Sequence, residues 1–176
     1  MSNLINLQQS GFSLVLGGQR SGKSVFAEKS VEEVGGGFYL ATSETLDDEM
    51  AVRIAIHKAR RGDQWQTLEE PILLTHALLS LMGRGKPALV DCLTLWLSNL
   101  MALDKNIDAE IHGLCELVEK LDFPVVFVSN EVGQGVIPDN ALARRFVDCA
   151  GKMNQKIADV SENVVFVTAG IPQKLK

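Results

Sequence analysis

Short, nearly uninterrupted apolar runs recur along this chain between longer stretches whose apolar positions fall at helical spacing. The runs are Phe12-Ser13-Leu14-Val15-Leu16, Phe38-Tyr39-Leu40-Ala41, Pro87-Ala88-Leu89-Val90, Val125-Val126-Phe127-Val128 and Val164-Val165-Phe166-Val167. A strand with one wet face alternates apolar and polar residues. Continuous runs instead predict strands covered on both faces, as in a parallel sheet. The segments between them supply the cover. Leu93, Trp96, Leu97, Leu100 and Met101 form one helical stripe, and Phe146, Ala150, Met153 and Ile157 another. Each reads as core or as subunit interface. Thr45-Leu46-Asp47-Asp48 has the form of a capping box and predicts a helix running to about Arg61. An earlier helix, with Val25 to Lys29 in its first turns, should stop at the triple glycine Gly35-Gly36-Gly37. The tail from Gly170 to Lys176 can turn back as a short edge strand. The expectation is one α/β domain over residues 12–176, a mostly parallel sheet flanked by helices, behind a polar extension over residues 1–11 whose Met1 to Gln9 stretch frays.

In such a sheet ligands gather at the carboxyl ends of the strands. That rule selects Gly17 to Ser24, Thr42-Ser43, Asp91 and Ser129-Asn130-Glu131. The first of these, Gly17-Gly18-Gln19-Arg20-Ser21-Gly22-Lys23-Ser24, fits G-x-x-x-x-G-K-[ST] in full, with a predicted strand before it and a predicted helix after it. A tight glycine loop at a helix N-terminus aims unpaired N–H groups and the positive end of the helix dipole at one point, which suits phosphate. Lys23 would reach the β- and γ-phosphates, and the Ser24 hydroxyl would ligate Mg²⁺. This motif predicts nucleoside triphosphate binding.

Asp91 directly follows a predicted strand, the position of a carboxylate that holds Mg²⁺ through water or polarises a nucleophile; a helix N-cap is the competing role. Arg53, His57, Lys58, Arg60 and Arg61 fall in the second half of the helix expected from Thr45. Cations there suit a solvated helix end, since they complement the dipole. They could equally receive a triphosphate while a neutral His57 imidazole attacks phosphorus. Spacing leaves both readings open.

Composition narrows the class. The 176 residues are 46% hydrophobic and 22% charged, which is ordinary globular usage. The net charge of -5 offers no basic footprint for nucleic acid. Met1 to Gln9 contains no Lys or Arg and no long apolar run, so it resembles neither a signal nor a transit peptide. The apolar stretch from Leu93 to Leu103 is broken by Thr94, Ser98 and Asn99 and is too short to cross a bilayer. Cys92, Cys115 and Cys149 are scattered and form no C-x-x-C, which predicts reduced, buried thiols in a cytoplasmic protein.

The remaining motifs occur in series. After the phosphate loop come Ala41-Thr42-Ser43, Leu46-Asp47-Asp48-Glu49-Met50, Arg53-Ile54, His57-Lys58 and Trp65-Gln66-Thr67-Leu68-Glu69. Asn130-Glu131-Val132-Gly133-Gln134-Gly135-Val136-Ile137-Pro138 and Leu142-Ala143-Arg144-Arg145-Phe146 follow. From Leu14 to Lys176 this series closely resembles the bifunctional adenosylcobinamide kinase/adenosylcobinamide-phosphate guanylyltransferases of cobalamin biosynthesis. The resemblance implies a RecA-like P-loop fold, a homotrimer and two reactions. In the first, ATP or GTP phosphorylates adenosylcobinamide. In the second, GMP passes from GTP to adenosylcobinamide phosphate through a GMP–histidine intermediate, with Mg²⁺ in attendance. The family histidine falls on His57. The nucleotide contacts fall on Gly17, Gly18, Gln19, Arg20, Ser21, Gly22, Lys23 and Ser24, on Ala41, Thr42 and Ser43, on Lys58, Ala59, Arg60 and Arg61, on Glu69 and on Asp91, with Ser24 and Asp91 toward the metal.

The chain departs from the family pattern in places. Asp91 stands where a longer Glu can occur, Ile56 where a second His can precede the nucleophile, and Gln19 where a small residue is usual. His76 and His112 lie in apolar helical contexts outside any motif. Two other functions fit the phosphate loop alone. One is a nucleotide-driven switch or assembly module, which leaves His57 and the Asn130–Pro138 segment unexplained. The other is a kinase without the nucleotidyl step.

Overall fold

The computed structural model describes residues 4–8, 10–43, 62–117 and 119–176. Its strands are β1 (Gly11–Gly17), β2 (Gly37–Ala41), β3 (Trp65–Glu69), β4 (Ala88–Asp91), β5 (Pro124–Asn130), β6 (Ser161–Thr168) and β7 (Ile171–Lys174). The helices are α1 (Lys23–Glu32), α2 (Leu74–Leu79), α3 (Leu93–Ala102), α4 (Ile107–Cys115) and α5 (Ala141–Val160). Every apolar run read from the sequence became a strand. The helix expected between Thr45 and Arg61 lies outside the described residues.

The strands form one sheet in the order β3-β2-β4-β5-β1-β6-β7. All neighbours are parallel except β6 and β7, so the tail does turn back as an antiparallel edge strand. The strand that ends in the phosphate loop, β1, lies between β5 and β6, and β5 separates it from β4 and Asp91.

Successive side chains on a strand face opposite sides, and the core divides accordingly. Phe12, Leu14 and Leu16 of β1 join Trp96, Leu97, Leu114, Met153 and the rest of α2 to α5 on one side. Phe12 meets Phe127 of β5 edge to face, with ring centroids 4.9 Å apart. Val15 points the other way, into a smaller cluster with Phe26, Val31, Tyr39, Trp65 and Val128. Ile5 and Leu7 are buried in that same cluster, and Ile5 N donates to Ser30 Oγ at 3.4 Å. This part of the N-terminal extension is docked where the sequence reading expected fraying, because its two apolar side chains cover α1. The stripe on α3 is core: Leu93, Trp96, Leu97 and Leu100 are fully buried within the chain. Met101, at the end of the stripe, is half-buried and packs against the same core.

The strand β3 was not foreseen. Only Trp65 is buried along it while Gln66, Thr67 and Glu69 are exposed, as expected at the edge of a sheet, where the apolar run that marks an inner strand is missing. The glycines after α1 act as the sequence suggests. Gly35 and Gly36 take φ of 95° and 83°, and Gly36 N returns to Val31 O at 3.1 Å to close the helix.

Candidate active site

The phosphate loop is built from both of its flanks. Gly17, the last residue of β1, pairs with Asn130 on β5 and Val167 on β6. A Cβ on Gly17 would strike Ser21 Oγ and lie 2.6 Å from Val167 O, so the strand passes beneath its own loop only as glycine. Ser21 N donates to Gly18 O at 3.2 Å, and Gly22 enters α1 in the left-handed region at φ 98°. The turn joining β6 to β7 backs the loop: Gly170 N donates to Ser21 O at 2.7 Å.

No side chain caps α1, and its first turn carries no acidic residue. Its leading N–H groups and positive dipole end are thus left for an anion. Lys23 is buried and folds over the loop, donating from Nζ to Gly18 O at 3.3 Å. Ser21 Oγ is buried without a hydrogen-bond partner among the described residues. It lies beneath the loop, packed against Gly17 at the end of β1.

Parallel register carries the other expected residues to the same edge. Ala41 lies opposite Glu69 on β3 and Asp91 on β4, so the three end their strands in one row. Glu69 is exposed and Asp91 half-buried. Tyr39 Oη donates to Asp91 Oδ2 at 2.7 Å. Thr42 is fully buried and engages every polar group it has: its N–H donates to Asp91 O at 3.2 Å, its hydroxyl donates to Cys92 O at 2.8 Å and accepts from Cys92 N at 2.9 Å, and its carbonyl accepts from Asn99 Nδ2 at 2.8 Å. This residue pins the chain just beyond Asp91, and Ser43, next along, is only half-buried.

Burial pushes the Cys92 thiol above its ordinary value, and the Asp91 carboxylate pushes the same way. Bonding to Thr94 and Leu95 and the charge of Lys23 pull it down. Lys23 at the start of α1 and Asp91 at the end of β4 thus act on the same spot.

The end of β5 is fixed by a second polar network. Thr94 Oγ1 on α3 accepts from Asn130 N at 2.9 Å and from Asn130 Nδ2 at 3.0 Å. Ser129 Oγ donates to Asn154 Oδ1 on α5 at 2.7 Å, and Asn154 Nδ2 donates to Asn130 O at 3.3 Å. Glu131 N donates to Gly17 O at 3.1 Å, tying this segment to the phosphate loop. Beyond it the chain is exposed, Val136 at 95% and Ile137 at 78%, until Arg144 Nη1 on α5 reaches back to Pro138 O and Asp139 O.

His57, Lys58, Ala59, Arg60 and Arg61 lie outside the described residues. His76 and His112, whose apolar setting the sequence suggested, are both exposed, and His112 Nε2 sits 3.3 Å from Glu116 Oε1. Sequence reasoning missed Tyr39, Thr94, Asn99 and Asn154 as site-shaping residues. The signal for Thr94 and Asn99 was their interruption of an otherwise apolar helix, where a polar residue turned inward needs a partner.

Ser24 and Asp91 carry oxygen donors, the kind that Mg²⁺ takes. Among the described residues no group of three or more His, Cys, Asp or Glu could make an all-protein metal cage. Mg²⁺ needs none, since it keeps waters and substrate phosphates as ligands. No helix among these residues is long and apolar enough to cross a membrane.

A family model described as cobinamide kinase / cobinamide phosphate guanyltransferase matches residues 13–175. The bifunctional adenosylcobalamin biosynthesis protein CobP of Pseudomonas aeruginosa is 48% identical over 166 residues, covering 93% of this chain and 96% of the relative. The bifunctional adenosylcobalamin biosynthesis protein CobU of Escherichia coli is 36% identical over 178 residues, covering 93% and 98%. Among solved structures, the P4 protein from bacteriophage phi6 in complex with ADP aligns with a TM-score of 0.52 and 16% identity, over 93% of this chain. The chain spans 53% of that neighbour's length, and the likeness speaks to the fold alone.

Proposed function

The chain belongs to the cobinamide kinase / cobinamide phosphate guanyltransferase family, and from that premise we propose that it phosphorylates adenosylcobinamide and then guanylylates the product through a histidine. The observation that carries this reading is the loop Gly17–Ser24, an uncapped anion cradle opening on the edge where Asp91 and Glu69 end their strands.

In the kinase step the substrate hydroxyl oxygen attacks the γ-phosphorus of ATP or GTP, the bond to the β-phosphate oxygen breaks, and the hydroxyl proton is released. Little covalent work falls to the protein, so positioning and charge neutralisation dominate. Gly17 to Ser24 cradle the phosphates by their backbone, and Lys23 exchanges its bond to Gly18 O for the β- and γ-oxygens. Ser24 and Asp91 are the residues that would hold Mg²⁺, which when bound neutralises charge between the phosphates.

In the second step a neutral His57 nitrogen attacks the α-phosphorus of GTP and pyrophosphate leaves. The phosphate oxygen of adenosylcobinamide phosphate then attacks the same phosphorus and the nitrogen–phosphorus bond breaks. Imidazole suits both roles, being a nucleophile when neutral and a good leaving group once protonated. Ala41, Ser43, Glu69 and the cations Lys58, Arg60 and Arg61, with Ala59 between them, complete the proposed nucleotide site, and Thr42 supports it from beneath. The proposed homotrimer draws support from the exposed apolar side chains of Val136, Ile137 and Leu142 rather than from α3.

Incubation with GTP and Mg²⁺ followed by intact-mass measurement tests the reading. A covalent GMP adduct is expected, labile in acid and stable in alkali. His57→Ala should lose the adduct and guanylyl transfer yet keep measurable kinase activity. An adduct that survives in His57→Ala moves the nucleophile elsewhere, and no adduct in the wild type leaves a plain kinase.

A further inference from the structure

Asp91 is held by residues that no motif singles out. Its Oδ2 accepts a hydrogen bond from Tyr39 Oη at 2.7 Å, a length typical of a hydroxyl donating to a carboxylate. Tyr39 stands on the neighbouring strand, two positions before Ala41, the register partner of Asp91. The phenol therefore approaches diagonally across the β2–β4 pair. Tyr39 is itself immobilised: it is 3% exposed, and its ring meets Trp65 of β3 edge to face with centroids 5.9 Å apart. Trp65 is anchored in turn, its indole Nε1 donating to Glu32 Oε1 at the end of α1 at 3.1 Å. A continuous line of contacts thus runs Glu32–Trp65–Tyr39–Asp91, from the far end of the phosphate-loop helix to the carboxylate at the site.

Resting on the reading of Asp91 as the carboxylate that holds the metal, we propose that Tyr39 is a positioning residue. By occupying Oδ2 it fixes the carboxylate plane and presents Oδ1 to the metal and its waters. Asp rotates about a broad terminal torsion, so without a partner its carboxylate samples many orientations. Carboxylates that serve metals are themselves hydrogen-bonded, and removing that partner commonly costs about ten- to a hundredfold in metal affinity or activity. The clamp matters more here because Asp91 is a short side chain with little reach to correct its aim. Thr42 completes the grip by bonding both N–H and C=O of Cys92, so strand β2 holds the carboxylate and the residue after it together.

The test is a Mn²⁺ titration followed by electron paramagnetic resonance, with a non-hydrolysable GTP analogue present, on wild type, Tyr39→Phe, Asp91→Asn and the double variant. Tyr39→Phe keeps the ring and its contact with Trp65, and thermal melting checks that the fold is retained. Mn²⁺ binding should weaken about ten- to a hundredfold in Tyr39→Phe while metal-free affinity for the analogue is unchanged. In the Asp91→Asn background the same change should add at most about twofold, because coupled residues are not additive. If Asp91→Asn weakens Mn²⁺ binding and Tyr39→Phe does not, the positioning role is wrong while the metal site stands. An equal effect of Tyr39→Phe in both backgrounds also overturns it, as a change in packing. Unaltered Mn²⁺ binding in Asp91→Asn overturns the underlying assignment of the carboxylate.

Discussion

Lys23 shows how much of this site is decided by single residues. The residue is 9% exposed and its ammonium rests on Gly18 O, so the cation is stored against the loop it would serve. Lys23→Ala should abolish both activities, since each step places a triphosphate in the same cradle. Losing one positioned donor commonly costs about 10²–10³-fold in turnover, which assays of kinase and guanylyl transfer would read separately. The melting temperature should change little, because Lys23 stands at the first position of α1, outside both apolar clusters of the core. Thr42 teaches the opposite lesson. Its place in a nucleotide-binding series suggests a ligand contact, yet its polar groups are all turned inward onto Asp91, Cys92 and Asn99. Residue type and position were legible in the sequence here; the direction of the hydroxyl was not, because Cys92 and Asn99 come from segments some fifty residues away in the chain.

Among the elements, the inner strands were legible in the sequence and the edge strand β3 was not. Inner strands β1, β4 and β5 are buried on both sides and wrote themselves as apolar runs. The edge strand β3 exposes most of its residues and left no such trace. The helix α5 combines a buried stripe through Ala150, Met153 and Ile157 with a capped start, Asn140 Oδ1 accepting from Leu142 N at 2.8 Å and Ala143 N at 3.1 Å. Asn140→Ala should therefore lower stability by about 0.5–2 kcal/mol, measured by urea denaturation. The loss should be felt at the site as well, because α5 carries both Arg144, which closes the Asn130–Pro138 segment, and Asn154, which holds the end of β5.

On the scale of the whole molecule, one parallel sheet converts distance along the sequence into adjacency at its carboxyl edge. That placement was legible from the residues that directly follow each apolar run, whereas the buttress behind the phosphate loop was not: the β6–β7 turn lies far along the chain from the loop, and nothing in Ala169-Gly170 announces it. Deleting residues 169–176 should remove the Gly170–Ser21 bond and weaken nucleotide binding several-fold, read by calorimetry with a non-hydrolysable GTP analogue, while the core on the α2–α5 side persists. Retained wild-type affinity would reduce that turn to decoration. The same arrangement bears on how the protein is made. Strand β1 leaves the ribosome well before both strands that flank it, β5 and β6. A growing chain therefore carries the signature loop for most of its synthesis with no sheet to hold it. Nucleotide can thus not template the early steps of folding, and the newborn apolar strand must be shielded until its neighbours arrive.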